Sequence, residues 1–270
     1  MNQETIRRIL LDVREHQPLI HCITNPISIN QCANAILALG SRPIMAEHPM
    51  EVAEITRTAK ALMLNLGNIT DARMESILIS AKTATENGIP ILLDAVGIAC
   101  SRLRRSYVHE LLSSITPTVI KGNYSEVHAL YQDSYRSTGV DAEDLDISAV
   151  SNAAVALARE RNTIILASGK VDIVTDGKQM IHIHNGTPQL STITGTGCML
   201  GALCATYLSA IPQMDAVITA CAVLGISGEM ARTEQGSGTF FVNLMDALST
   251  LTAEDISKNI KMEEISLENI

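Results

Sequence analysis

The chain has 270 residues, of which 46% are hydrophobic, 18% charged and 3% aromatic, with no Trp and a formal charge of −9. It is too apolar to be disordered, and long enough to bury an aliphatic core without a disulfide or metal staple. The acidic balance excludes a sequence-independent grip on nucleic acid, which needs a basic face, but not a phosphorylated ligand, which a local nest of backbone N–H groups can hold.

In chain order, strand and helix signals alternate. Met1 to Arg14 is charged and carries Ile6, Ile9, Leu10 and Val13 at helical spacing, so it reads as a surface helix and not as a secretion signal. Pro18 to Ile23 predicts a strand, followed by a turn at Thr24-Asn25-Pro26. Ile29 to Leu39 predicts a helix closed by Gly40. Pro43-Ile44-Met45 reads as a second strand, with Pro49 in the first turn of the next helix. Ala61 to Leu64 is a third strand, running into Asn65-Leu66-Gly67-Asn68. Thr70 caps a helix from Asp71 to Asn87, and Gly88 follows it. Pro90 to Leu93 leads to Asp94, Thr118 to Ile120 leads to Lys121-Gly122-Asn123, and Ser125 starts another helix. Thr163 to Ala167 is a sixth strand, ending at Ser168-Gly169. These are continuous apolar runs, as expected for parallel strands covered on both faces.

After Ser168 the pattern changes. Val171 to Thr175 and Met180 to His184 flank Asp176-Gly177-Lys178-Gln179 and predict a β-hairpin. Gln179 to Met214 carries no formal charge apart from His, but it is cut by Asn185-Gly186, the Gly195 loop and Pro212. Its continuous apolar part, Cys198 to Ile211, has 14 residues, which suits a buried helix and not a membrane span. Asp215 to Met230 and Leu244 to Thr252 are further helical stretches, and the charged tail from Ala253 reads as exposed. No linker or repeat divides the chain. The expected architecture is one three-layer α/β domain over residues 1–270, with a mostly parallel central sheet and helices on both faces. The six cysteines show no C-x-x-C spacing and several lie in apolar runs, which suits a reducing cytoplasm.

Asn25, Met45-Ala46-Glu47, Asn65, Asp94, Lys121-Gly122-Asn123 and Ser168-Gly169 all fall just after a predicted strand. In an open parallel sheet that end forms the ligand crevice, although any one of them could be an ordinary capped loop. The sharpest feature is Thr192-Ile193-Thr194-Gly195-Thr196-Gly197-Cys198. Its glycines let a ligand approach the backbone, and the helix that follows aims free N–H groups at it, making an anion hole for phosphate. It is neither a Walker A loop nor the dinucleotide fingerprint. Cys198 is open to two readings: a small residue in a first turn, or a thiol favoured as thiolate by the helix end. Asp94 and Glu126 are candidates for magnesium and phosphate, against an exposed turn residue and a first-turn acid. His182 and His184 share one face of a strand with no acid or Cys at ligand spacing, so they read as non-metal residues. His21 and His48 read as hydrogen-bonded strand-end or turn residues.

Together, His21-Cys22-Ile23-Thr24-Asn25, Met45-Ala46, Leu93-Asp94 with Val96-Gly97, Gly122-Asn123 with Ser125-Glu126, Val171-Asp172 with Asp176-Gly177, and Thr194-Gly195-Thr196-Gly197-Cys198-Met199-Leu200 resemble hydroxyethylthiazole kinase. The match runs from about residue 18 into the helix after Cys198, and more loosely to Gly236-Ser237-Gly238-Thr239-Phe240. The resemblance implies a ribokinase-like fold and transfer of the γ-phosphoryl of ATP, with Mg2+, to the hydroxyl of 4-methyl-5-(2-hydroxyethyl)thiazole in thiamine salvage. It also implies a homotrimer in the cytoplasm, without nucleic-acid or membrane partners. Carried over, Met45, Gly195, Asn25 and Gly67 would meet the thiazole. Lys121, Ser168, Asn123 and Gly197 would meet ATP. Asp94 and Glu126 would organise magnesium, and Cys198 would stand beside the attacking hydroxyl. Three places depart from the family pattern: Lys121 stands where Arg is usual, Ser168 where Thr is common, and Asp94-Ala95-Val96-Gly97-Ile98-Ala99 lacks a usual proline and a usual glycine. Another ribokinase-like activity, on a pyrimidine alcohol or as a dehydratase, and a non-catalytic binder remain the alternatives.

Overall fold

A computed structural model describes residues 3–132 and 146–267. α1 (Gln3–His16) buries the predicted stripe of Ile6, Ile9, Leu10 and Val13. β1 (Leu19–Ile23) leads to α2 (Ile29–Ala38), stopped by Gly40 at φ 89. β2 (Arg42–Ile44) precedes α3 (Val52–Thr58). Pro49 is not in that helix's first turn as expected. It lies in a turn closed by the Glu51 and Val52 N–H groups on the His48 carbonyl. β3 (Ala61–Asn65) is followed by α4 (Asp71–Glu86), where the Thr70 hydroxyl accepts the Arg73 N–H, as the cap reading predicts.

β4 (Ile91–Asp94), α5 (Arg102–Ser114), β5 (Val119–Asn123), α6 (Tyr124–Tyr131) and α7 (Ile147–Arg161) come next. β6 (Ile164–Ser168) gives way to the predicted hairpin of β7 (Asp172–Thr175) and β8 (Met180–Ile183), turned by Gly177 at φ 83. α8 (Thr196–Leu208) and α9 (Met214–Met230) are the two very apolar helices. α10 (Ser237–Thr250), α11 (Ala253–Asn259) and β9 (Met262–Ile265) finish the described chain.

The strands form one sheet in the order β2-β1-β3-β4-β5-β6-β7-β8-β9. The pairs from β2 through β6 are parallel, and those from β6 through β9 are antiparallel. Successive strand residues feed two cores. Cys22, Met63, Leu92, Val119 and Leu166 pack with α1, α2, α8, α9 and α10. Ile23, Leu62, Leu64, Leu93, Ile120 and Ile165 pack with α4, α5, α6 and α7. Strands with both faces covered must be apolar at every position, which explains the continuous runs in the sequence. Among the described residues, no helix is long and apolar enough to cross a membrane.

The tail departs from the expected exposed segment. Ile256 of α11 is fully buried, and β9 adds an antiparallel edge strand to β8. Its charged residues misled the reading because an edge strand with one solvated face tolerates charge, and Glu263 and Glu264 are both exposed. Ile256→Ala should therefore lower unfolding free energy by about 2–5 kcal/mol, as for other buried truncations. Urea unfolding measures it, and a free tail would show no change.

Candidate active site

The parallel register places three polar residues in one row. Asn65 of β3 is level with Asp94 of β4, and Asp94 with Lys121 of β5. Each follows a residue committed to the α4–α7 core, so strand alternation turns all three toward α8. The alternative of an ordinary exposed turn residue fails for Asp94, because it has no exposed surface. Its Oδ1 accepts the Lys121 Nζ at 3.1 Å, and its Oδ2 accepts the Asn65 Nδ2 at 3.1 Å. Burial pushes the Asp94 carboxyl up, while Lys121 and Asn65 oppose that shift. Burial would lower the Lys121 ammonium, but Asp94, Cys198 and Glu126 together hold it above its ordinary range.

Cys198 closes the network from above, in the first turn of α8. Its Sγ accepts the Asn65 Nδ2 at 3.3 Å and the Asn25 Nδ2 at 3.4 Å. Asn25 also donates to Asn65 Oδ1 at 3.1 Å, and that oxygen accepts the Gly67 N–H at 2.8 Å. A Cβ on Gly67 would stand 2.8 Å from both amides, so glycine is required by close approach. Burial raises the thiols of Cys22, Cys32, Cys204 and Cys221, Cys32 to about 12, which leaves them as apolar filler. Cys198 differs: it is half-buried and held by two amides.

α8 starts from Gly195 at φ 88 with no side-chain cap, so its first N–H groups stay free for a ligand. Gly195 abuts Ser28, the N-cap residue of α2, and Gly197 is exposed with open space around it. Beside this loop lies an open cleft of about 310 Å3 between Gln31, Thr192–Thr194 and the start of α10. Gly201 is a site position that the sequence reading did not single out. A Cβ there would meet Met63 at 2.8 Å and the Asp94 carboxylate at 3.3 Å, so its absence lets α8 lie over the polar row. A glycine inside an apolar helix, one turn after Gly197, was the available signal.

Asn123 and Glu126 form a capping box at the start of α6. Glu126 Oε2 accepts the Asn123 N–H at 2.7 Å, and Oε1 accepts the Gly97 N–H at 2.7 Å. The first-turn reading of Glu126 is thus correct, and the same carboxylate also ties down the loop after Asp94. Burial, with the Asp94 charge adding to it, raises the Glu126 carboxyl, while the two N–H groups lower it. In that loop Gly97 has φ 78, and neither Ala95 nor Ala99 takes positive φ. Ser168 pairs with Asn123 across β5 and β6, and its hydroxyl donates to the Gly122 carbonyl at 3.3 Å. Met45 packs partly buried against the core, just before Ala46, whose carbonyl accepts the His21 Nε2–H at 2.9 Å. Burial lowers the His21 pKa, and the Nδ1 of the neutral ring accepts the Thr56 hydroxyl at 2.9 Å.

His182 and His184 do share a face, and Glu263 of β9 joins them, 3.0 Å from His184 Nε2. Among the described residues, however, no group of three such side chains is arranged to hold a metal ion.

The Asp94–Lys121 pair gives a direct test. Lys121→Met strands a buried carboxylate, and losing one partner of such a pair costs about 3–5 kcal/mol. The Asp94→Asn, Lys121→Met double variant should recover part of that loss. Equal stability of the single and double variants in urea unfolding would refute the pairing as a structural unit.

Comparison with known proteins bears on the whole chain. The hydroxyethylthiazole kinase family model matches residues 10–254. A hydroxyethylthiazole kinase 2 of Clostridium botulinum is 45% identical over 261 residues, covering 94% of this chain and 98% of the relative. A solved hydroxyethylthiazole kinase structure from Pyrococcus horikoshii OT3 superposes with a TM-score of 0.89 at 34% identity, over 97% of this chain and 100% of that one. A ribokinase-like superfamily protein from Enterococcus faecalis, only 10% identical, shares the fold at a TM-score of 0.64 over 95% of this chain and 96% of that one. With its buried polar row, its uncapped helix over that row, and a match spanning nearly its full length, the chain belongs to the hydroxyethylthiazole kinase family.

Proposed function

We propose that the protein transfers the γ-phosphoryl of ATP to the hydroxyl of 4-methyl-5-(2-hydroxyethyl)thiazole, as a step of thiamine salvage. The observation that carries this reading is Cys198 at the free N-terminus of α8, held by Asn25 and Asn65 over the buried Asp94–Lys121 pair. Phosphoryl transfer passes through a loose transition state, so positioning and charge neutralisation supply most of the catalysis. The amides of residues 195–198 hold the moving phosphoryl group. The acceptor oxygen forms a bond to phosphorus as the bond from γ-phosphorus to the bridging oxygen breaks. Cys198, entering the step as thiolate, orients the acceptor hydroxyl and takes its proton late in the transfer to become a thiol. Met45 walls the thiazole side, with Gly67 and Asn25 at its edge, while Lys121, Asn123 and Ser168 border the ATP side.

Magnesium fits this donor set. Asp94 and Glu126 are two buried carboxylates that both act on one buried ammonium, Lys121, which leaves an excess of negative charge. Each Glu126 oxygen keeps a lone pair beyond its single N–H partner. Glu126 would hold Mg2+ partly through water, the mode this ion prefers, with Asp94 joining it once a bound ion draws Lys121 or Asn65 aside, and the ion would supply neutralisation of the phosphate charge.

We also place the protein in the cytoplasm, supported by six free thiols, and assign it as a homotrimer. The exposed Ile27, Leu37 and Val242 supply apolar surface around α2 and α10 for the subunit contacts. Light scattering should return three times 29.0 kDa.

A coupled ADP-release assay should show turnover with the thiazole alcohol, and little with hydroxymethylpyrimidine or with no acceptor. Turnover with the pyrimidine alone would overturn the substrate assignment. Cys198→Ala should lower kcat by about tenfold or more with KM for ATP within about twofold, the pattern of a group that acts in the transition state. Unchanged kcat would remove Cys198 from the mechanism.

A further inference from the structure

Two loops bound the acceptor side, residues 45–48 after β2 and residues 66–70 after β3. Neither contains regular structure, yet both are held by one helix. The Arg73 guanidinium of α4 is nearly buried, and its Nε donates to Glu47 Oε2 at 2.7 Å. Its Nη1 donates to the Asn68 carbonyl at 2.8 Å. Ser76, one turn further along α4, donates to the Glu47 carbonyl at 2.7 Å. Asn68 is one of the few non-glycine residues with positive φ, at 47, a conformation that surrounding contacts must hold. α4 is itself pinned from behind, because the Tyr107 hydroxyl donates to the Met74 carbonyl at 2.6 Å.

We infer that Arg73 is a positioning residue for the acceptor: its guanidinium clamps the Glu47 loop to the Asn68 loop and so sets the spacing between Met45 and Gly67. This rests on the reading that Met45 and Gly67 border the thiazole. The guanidinium suits the task because its donors are fixed in one plane and reach two acceptors in different loops at once. A lysine there could serve one of them. Arg73 touches neither Asp94, Lys121 nor Cys198 in the network described above, so its loss acts on acceptor binding and not on ATP. Arg73 was invisible as a site residue in the sequence, where it is one of many charges on a helix.

The test is steady-state kinetics with both substrates varied, on Arg73→Met, Arg73→Lys, Glu47→Ala and the Arg73→Met, Glu47→Ala double variant. Glu47 is half-exposed, so its truncation leaves folding intact and keeps the test informative if Arg73→Met is poorly expressed. The expected result is a rise in KM for the thiazole alcohol of about tenfold in Arg73→Met and about fivefold in Glu47→Ala, with KM for ATP within about twofold. Arg73→Lys should restore little, and the double variant should be no worse than Arg73→Met alone, because Glu47→Ala removes only a contact that Arg73→Met has already broken. A parallel rise in both KM values, or additive effects in the double variant, would overturn the clamp. Met45→Ala separates the two levels. If it raises the acceptor KM while the Arg73 and Glu47 variants do not, the clamp fails and the acceptor pocket stands. If it leaves the acceptor KM unchanged, the pocket assignment fails and the clamp falls with it.

Discussion

A carboxylate with no exposed surface, Asp94, lies at the end of a central strand, and the site is built around meeting its needs. An ionised group removed from water must be paired and hydrogen-bonded. Asp94 has an ammonium on one oxygen and an amide on the other. Both partners come from neighbouring strands at the same level, so the register of the parallel sheet is what makes the charge tolerable. A slip of one residue in either neighbour would turn Asn65 or Lys121 to the opposite face and leave one carboxylate oxygen without its partner.

The rest of the site is stacked on that row. Gly201 lets α8 descend onto it, which brings Cys198 to the amides of Asn25 and Asn65 and leaves the free end of the helix over the crevice. The surrounding loops are held by side chains and not by strand pairing. Glu126 ties the loop after β4 to the start of α6, and Arg73 ties the loops after β2 and β3 to α4. The antiparallel strands β7 to β9 extend the sheet beyond the polar row and provide further wall for α7 and α9.

Lys121, Ser168 and the loop after Asp94 each have a physical role in this fold. A lysine is a point charge, and at position 121 it serves a single Asp94 oxygen in a closed space. The loop after Asp94 stays in ordinary backbone conformations with alanine at 95 and 99, while Gly97 alone takes positive φ. Ser168 retains the hydroxyl on which its contact to the Gly122 carbonyl depends.

Local physics made much of this legible in the residue order. Continuous apolar runs mark strands covered on both sides, Thr70 marks a helix start, Asp176-Gly177 marks a hairpin, and the glycines before Cys198 mark an exposed helix end. α5 and α7 went unassigned because charged and small residues dilute their apolar stripes, and β9 because an edge strand can be as charged as a loop. Which polar residues meet is not written in any one segment. Asn25 and Cys198 are 173 positions apart, and Arg73 and Glu47 are 26 apart. Spacing along the chain states what a segment forms, because helices and strands are local. Contact between distant side chains follows from sheet order, register and the seating of a helix, and these are settled only when the whole core packs.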